Sequence, residues 1–190
     1  MPRKVYLLDL LVVVDLESTC WKQKPPKDQQ SEIIEIGICT LDIQSGERLE
    51  KESILVKPVR SKVSKFCTSL TTLTQKQVDE GLSFGEACSY MQEKYNTVVR
   101  TWASYGDYDR TMFQHQCNDF GVKYPFGDRH INVKNIFALI HGLDTEVGMK
   151  RALELREMEM QGTHHRGHDD AWNTAALLAE LLLLRRQAQP

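Results

Sequence analysis

The sequence predicts an α/β fold, a single mixed five-stranded sheet flanked by helices, and three observations carry that expectation. Residues 10–14 (Leu-Leu-Val-Val-Val) form an unbroken apolar, β-branched-rich run, of the kind buried on both faces in the middle of an α/β sheet. Three strand-like runs come first, and helical and strand-like runs alternate after them. The chain has 190 residues, 41% of them apolar and 26% charged, enough for one well-packed domain and too few for two. Residues 1–190 are therefore read as a single domain.

The elements follow in order. After the first strand, residues 21–30 (Trp-Lys-Gln-Lys-Pro-Pro-Lys-Asp-Gln-Gln) are polar and broken by two prolines, which marks a loop. Residues 33–41 and 49–56 read as strands, with Asp42, Ser45 and Gly46 between them as the turn of an antiparallel hairpin. Residues 84–95 carry helical spacing, 98–103 read as a fourth strand, and 108–120 as a helix ending before Gly121. A short fifth strand is expected at 131–133 and helices at 136–140 and 147–158. The last, Ala- and Leu-rich segment at 170–186 reads as a long helix whose apolar residues pack on the sheet.

Charge narrows the function. Twenty-four basic and 26 acidic side chains leave a formal charge of −2. That excludes a protein coating nucleic acid through a broad basic face, but not one gripping a few phosphates in a cleft. The five cysteines (20, 39, 67, 88 and 117) are odd in number and contain no Cys-x-x-Cys pair, which points to a reducing compartment. The basic, apolar start is interrupted by Asp9, ends at Asp15 and has no small-x-small cleavage site. It is also shorter than the ~20 residues that span a bilayer. A soluble cytoplasmic protein with no membrane association is expected.

Three acidic clusters carry chemistry. Asp15 and Glu17 follow the first strand's apolar run, and i and i+2 side chains share a face. Two close, buried carboxylates repel unless a cation compensates, and hard oxygen donors suit Mg²⁺ or Mn²⁺. Alternatively they merely end the strand. Asp107 and Asp109 sit at the turn after the fourth strand, where Asp107 would also serve as an N-cap and Asp109 as a first-turn acid. The third cluster, His164-His165-Arg166-Gly167-His168-Asp169-Asp170, precedes the last helix. Its histidines lack a nearby cysteine and match no closed zinc spacing. Asp169 or Asp170 would cap the helix, or one histidine would deprotonate a water beside a metal-binding aspartate. Order matters more than any single cluster: carboxylates after the first and fourth strands and a histidine-aspartate pair before the last helix compose one phosphodiester-hydrolysing site.

These motifs resemble those of DEDDh-type 3′–5′ exonucleases of the DnaQ-like superfamily, whose fold is ribonuclease H-like. Val14-Asp15-Leu16-Glu17-Ser18-Thr19-Cys20 matches the first motif. Asp107-Tyr108-Asp109 with Met112-Phe113 resembles the second, and the stretch from His165 to Ala175 resembles the third. Ser31 to Gly37, Phe66 to Thr74, Gln77-Val78 and the Asp169-Asp170 pair are similar to the enhanced-RNAi / histone-mRNA 3′-end exonuclease branch, which includes KapD-like proteins. The similarity runs over about residues 8–186.

The resemblance implies an enzyme that releases nucleoside 5′-monophosphates from single-stranded 3′ ends, RNA favoured, with two Mg²⁺ or Mn²⁺ ions. It assigns Asp15, Glu17, Asp109 and Asp170 to the metals, selecting Asp109 over Asp107. It makes His165, and not His164 or His168, the general base. Glu17 and the Ser18 backbone would receive the 3′-hydroxyl, with Leu70, Thr71 and Tyr108 near the terminal base or sugar. A monomer is expected, a dimer being the alternative. Two departures stand out: Thr72 replaces a frequent glycine, and Tyr108 a frequent tryptophan. Two other functions fit the same fold, a small-phosphodiester or short-oligonucleotide hydrolase and a non-catalytic nucleic-acid adaptor. The densest basic stretch (Lys57, Arg60, Lys62, Lys65) is either a solvated face or a phosphate contact. Cys20 and Trp172 read as packing residues.

Overall fold

A computed structural model of the chain describes residues 6–187; residues 1–5, the basic part of the apolar start, lie outside the described residues. The five strands are β1 (Leu7–Ser18), β2 (Ile33–Asp42), β3 (Arg48–Leu55), β4 (Arg100–Ser104) and β5 (His130–Asn132). They form one sheet in the order β3-β2-β1-β4-β5. β1 pairs antiparallel with β2 and parallel with β4, β2–β3 is the expected antiparallel hairpin, and β4–β5 is parallel. The sheet is mixed because an antiparallel hairpin start is followed by strands joined through helices, and such crossovers make the pairs β1–β4 and β4–β5 parallel.

β1 is central, and its side chains alternate between two cores. Val12, Val14 and Leu16 join Ile36 and Ile38 of β2 against α3 (Phe84–Tyr95) and α4 (Tyr108–Phe120). Leu11 and Val13 face the other way, with Cys39 and Leu41, onto Ala171, Ala175 and Leu178 of α7 (Gly167–Gln187). Asp15 and Glu17 continue this second, odd-numbered row, so they point to the side where α7 begins. α5 (Val133–Ile140) and α6 (Met149–Leu155) pack on α7 through Phe137, Met149, Leu153, Leu177 and Leu181.

Two short helices were not anticipated: α1 (Lys65–Thr71) and α2 (Gln75–Asp79). At seven and five residues they are too short for a visible apolar period. They are held by caps instead. The Ser64 hydroxyl accepts from the Cys67 amide, and Thr74 and Gln77 form a reciprocal capping box. Elsewhere the boundaries shift. α6 is shorter than the expected 147–158 segment because Glu157 adopts a left-handed φ of 55° just past its end. α7 starts three residues before 170 because the Arg166 carbonyl accepts from the Asp169 and Asp170 amides, both at 2.9 Å, and opens the helical ladder there. No described helix is long and apolar enough to cross a membrane.

Candidate active site

The three sequence clusters meet in a cleft of about 440 Å³ at the C-terminal end of β1. Asp15, Glu17, Ser18, Leu70, Tyr108, Asp109, His165 and Asp170 all line it. They arrive from four elements and one turn. Asp15, Glu17 and Ser18 come from β1, Leu70 from α1, Tyr108 and Asp109 from the first turn of α4, and Asp170 from the first turn of α7. His165 lies in the turn before α7, at a left-handed φ of 65°.

Carboxylate oxygens of Asp15, Glu17 and Asp170 lie within 4.8 Å of one another. Asp109 is outside that tight set but on the same wall, where it accepts from the Leu16 amide of β1 at 2.9 Å. Burial is the first cause for all four acids, and mutual repulsion adds to it chiefly at Asp15 and Glu17. Asp15 is pushed well above the usual carboxylate range by burial and then by Asp109 and Asp170. Burial and the field of Asp170 push Glu17 up to about 9. Burial raises Asp109 to about 7 and also raises Asp170. Hard oxygens crowded on one cleft wall without enough internal cations are a donor set that fits Mg²⁺ or Mn²⁺.

Within each cluster the neighbouring acids are spoken for. Asp107 is exposed, forms no cap bond, and pairs with Asn132 and Arg110. Asp169 is ion-paired with Lys51 and accepts from the Thr163 amide at 2.8 Å, closing the preceding loop. Geometry thus separates Asp109 from Asp107 and Asp170 from Asp169 in the same way the resemblance does.

The histidines divide as well. His165 is half-buried, and burial and then the adjacent His164 hold its imidazole below the ordinary range. His164 stacks on it at 3.9 Å between ring centroids and hydrogen-bonds Asp170 through Nδ1 at 3.0 Å. Sequence reasoning set His164 aside and missed this contact. His168 turns away from the cleft to donate through Nδ1 to Glu35 at 2.9 Å.

Other expectations meet mixed outcomes. The Ser18 hydroxyl and the Tyr108 phenol hydrogen-bond at 2.8 Å, and Tyr108 is exposed at the cleft mouth. Thr71 is not on the cleft wall: it is fully buried, donating to the Cys67 carbonyl and accepting from the Leu73 amide. It shapes the end of α1 instead. Thr72, at the position noted as a frequent glycine, caps α1 at a left-handed φ of 64°, a conformation that glycine adopts freely. Cys20 does line the cleft. Gly148, Met149 and Tyr105 do too; no local motif announced them. Trp172 packs against the α7 core, with the Arg48 guanidinium 4.3 Å from its ring centre. Lys57, Arg60, Lys62 and Lys65 are all exposed, Arg60 lying over the Phe120 ring.

Comparison with known proteins agrees with this geometry. The exonuclease (RNase T) family profile matches residues 12–178. The chain belongs to the exonuclease family. Among its relatives, the probable 3′-5′ exonuclease KapD of Bacillus subtilis is 33% identical, over 85% of this chain and 78% of that protein. The 3′-5′ exoribonuclease 1 of Rattus norvegicus is 29% identical over 92% of this chain, which spans about half the length of that relative, 53%. The nuclease domain of 3′hExo, a DEDDh family member solved with rAMP, superposes with a TM-score of 0.78 at 27% identity, covering 92% of each chain. The mixed five-stranded sheet flanked by helices is the sheet of this exonuclease family.

Proposed function

We propose that the protein is a metal-dependent 3′–5′ exonuclease that removes nucleoside 5′-monophosphates one at a time from single-stranded ends, RNA preferred. The observation that carries this reading is the convergence of Asp15, Glu17 and Asp170 within 4.8 Å in a cleft that also holds Asp109 and His165. Asp15, Glu17, Asp109 and Asp170 would hold two Mg²⁺ or Mn²⁺ ions. When bound, such a pair supplies the positive charge that stabilises the attacking and leaving oxygens of an in-line displacement.

The chain's own residues do the rest. His165, its imidazole held below the ordinary range by burial, accepts the proton of the attacking water at Nδ1 or Nε2. Glu17 and the Ser18 backbone receive the terminal 3′-hydroxyl, and Leu70 and Tyr108 flank the terminal base and sugar. The cleft is large enough for about one nucleotide, in keeping with removal of single residues from an end. The preference for RNA is supported by relatives named exoribonucleases and by the rAMP bound to the 3′hExo domain. We read the protein as a cytoplasmic monomer, in keeping with five free thiols.

The test is a degradation assay on matched 5′-labelled single-stranded RNA and DNA with Mg²⁺ or Mn²⁺. A ladder shortening from the 3′ end, faster on RNA, is expected. Binding without shortening would replace this reading with an adaptor. Activity confined to the shortest oligonucleotides would make it a small-phosphodiester hydrolase.

A further inference from the structure

Glu35 stands directly opposite Glu17 across the β1–β2 ladder. Like charges in that position repel. Yet the Glu35 side chain is completely buried and its oxygens are saturated. It accepts from Arg166 Nε at 3.1 Å and a second Arg166 nitrogen at 3.2 Å, from the Gly167 amide at 3.0 Å and from His168 Nδ1 at 2.9 Å. Ser53 of β3 adds a fifth donor at 2.5 Å.

The three residues it grips run consecutively after His165. The left-handed φ of His165 costs a non-glycine residue about 1 kcal/mol, so its surroundings must hold the turn: the His165 amide donates to Asp170 at 2.9 Å and the Arg166 amide to the Thr163 carbonyl at 3.2 Å, and Glu35 fixes the three residues that follow. β2 can reach that far because Gly37, two residues on and on the same face, has no side chain: a Cβ there would lie 1.8 Å from the Gly167 carbonyl carbon.

We propose that Glu35 is a positioning residue, acting through Arg166, Gly167 and His168 to fix the turn that presents His165 to the cleft. The proposal rests on the reading of His165 as the proton acceptor. Glu52 of β3 supplies the contrast: its carboxylate also gathers three donors, Tyr90, Lys94 and Tyr95, but it ties β3 to α3 and does not line the cleft.

The experiment compares Glu35→Gln, Glu35→Asp and Glu52→Gln with the unaltered chain in steady-state cleavage of labelled RNA, thermal melting and amide exchange over residues 163–168. Glu35→Gln is expected to melt cooperatively and lose roughly tenfold or more in kcat with KM nearly unchanged, because partners of this kind typically cost 10–100-fold. Exchange over 163–168 is expected to quicken. Glu35→Asp, which keeps the charge, should recover part of kcat. Glu52→Gln should melt earlier with kcat and the 163–168 exchange unchanged. A folded Glu35→Gln protein with unaltered kcat or unaltered exchange would overturn the proposal. So would a Glu52→Gln protein losing kcat in the same proportion to its melting shift. Should Glu35→Gln fail to fold, Glu35→Asp and Arg166→Gln carry the same readouts. If the unaltered chain does not shorten RNA, the nuclease reading fails separately, and the exchange arm still decides whether Glu35 holds the turn.

Discussion

Glu17 and Glu35 are the same side chain, register partners on adjacent strands, facing the same helix, and they come to opposite ends. Glu17 is pushed up to about 9 by burial and by Asp170. For Glu35, burial works in the same direction, but hydrogen bonds from Arg166, Ser53 and His168 outweigh it and hold the carboxyl below its ordinary range. Burial is common to both; the supply of internal donors is not. An acid with a structural task is given its cations and N–H groups by the fold, as Asp169 is by Lys51 and Thr163. The cleft acids have fewer: Asp109 accepts from the Leu16 amide and Asp170 from the His165 amide and His164, too few to offset burial, and under the proposed function a divalent ion would complete the set.

The contrast breaks first at the cleft acids. Asp15→Asn or Asp170→Asn is expected to lower the RNA cleavage rate about a thousandfold or more. Asp15→Asn should at the same time raise the melting temperature of the metal-free protein, since it removes an acid whose ionised form burial and the neighbouring carboxylates oppose, whereas Glu52→Gln should lower it. Loss of activity accompanied by unfolding would mean that Asp15 is structural. Next in size is His165→Ala, expected to lose about a hundredfold to ten-thousandfold in rate while Mn²⁺ affinity changes little. An unchanged rate would assign the proton to another group.

pH sharpens the same comparison without mutation. In the metal-free fold Glu17 titrates at about 9 against its ordinary 4.5, and Asp109 at about 7 against 3.8. The folded state therefore holds protons that the unfolded state has released. The stability these groups allow is fully present below their ordinary values and is lost as pH rises through about 7 and then 9. Glu35 has the opposite sign: its contribution is present above 4.5 and is lost as pH falls through its lowered value. Melting of the metal-free protein should fall by a few degrees between about pH 6 and pH 8.5, and added Mn²⁺ should restore more at the higher pH. A flat profile would show that the cleft acids are not under strain. The smallest effect is at Thr72: Thr72→Gly releases a left-handed β-branched residue and should raise the melting temperature by a few degrees, about 1 kcal/mol, with activity little changed.

What could be read from the sequence follows from the range of the interactions involved. The apolar run around Val12–Val13–Val14, the hairpin turn at Gly46 and the helical runs over 84–95 and 108–120 are local, and each of those elements is present. The acids of the site were legible because each sits at the end of an element whose place in the sheet was already legible. α1 and α2 escaped because their signal is capping chemistry at Ser64 and Thr74 and not apolar spacing. Glu35 escaped as a clamp because its partners lie more than 130 residues away, and only the approach of Gly37 to Gly167 brings them together. Thr71 was misplaced because a one-residue step along a short helix turns a side chain from cleft to core, and no pattern over seven residues sets that phase.

The central claim is that the cleft acids lack internal compensation and take it from a divalent ion. Calorimetric titration with Mn²⁺ at pH 7, in two buffers of different ionisation heat, tests this most directly, because it reads both ion binding and the protons released. Binding accompanied by proton release is expected in the unaltered chain, both lost or strongly reduced in Asp15→Asn and both retained in Glu52→Gln. Binding that persists undiminished in Asp15→Asn, or that releases no proton in the unaltered chain, would contradict it.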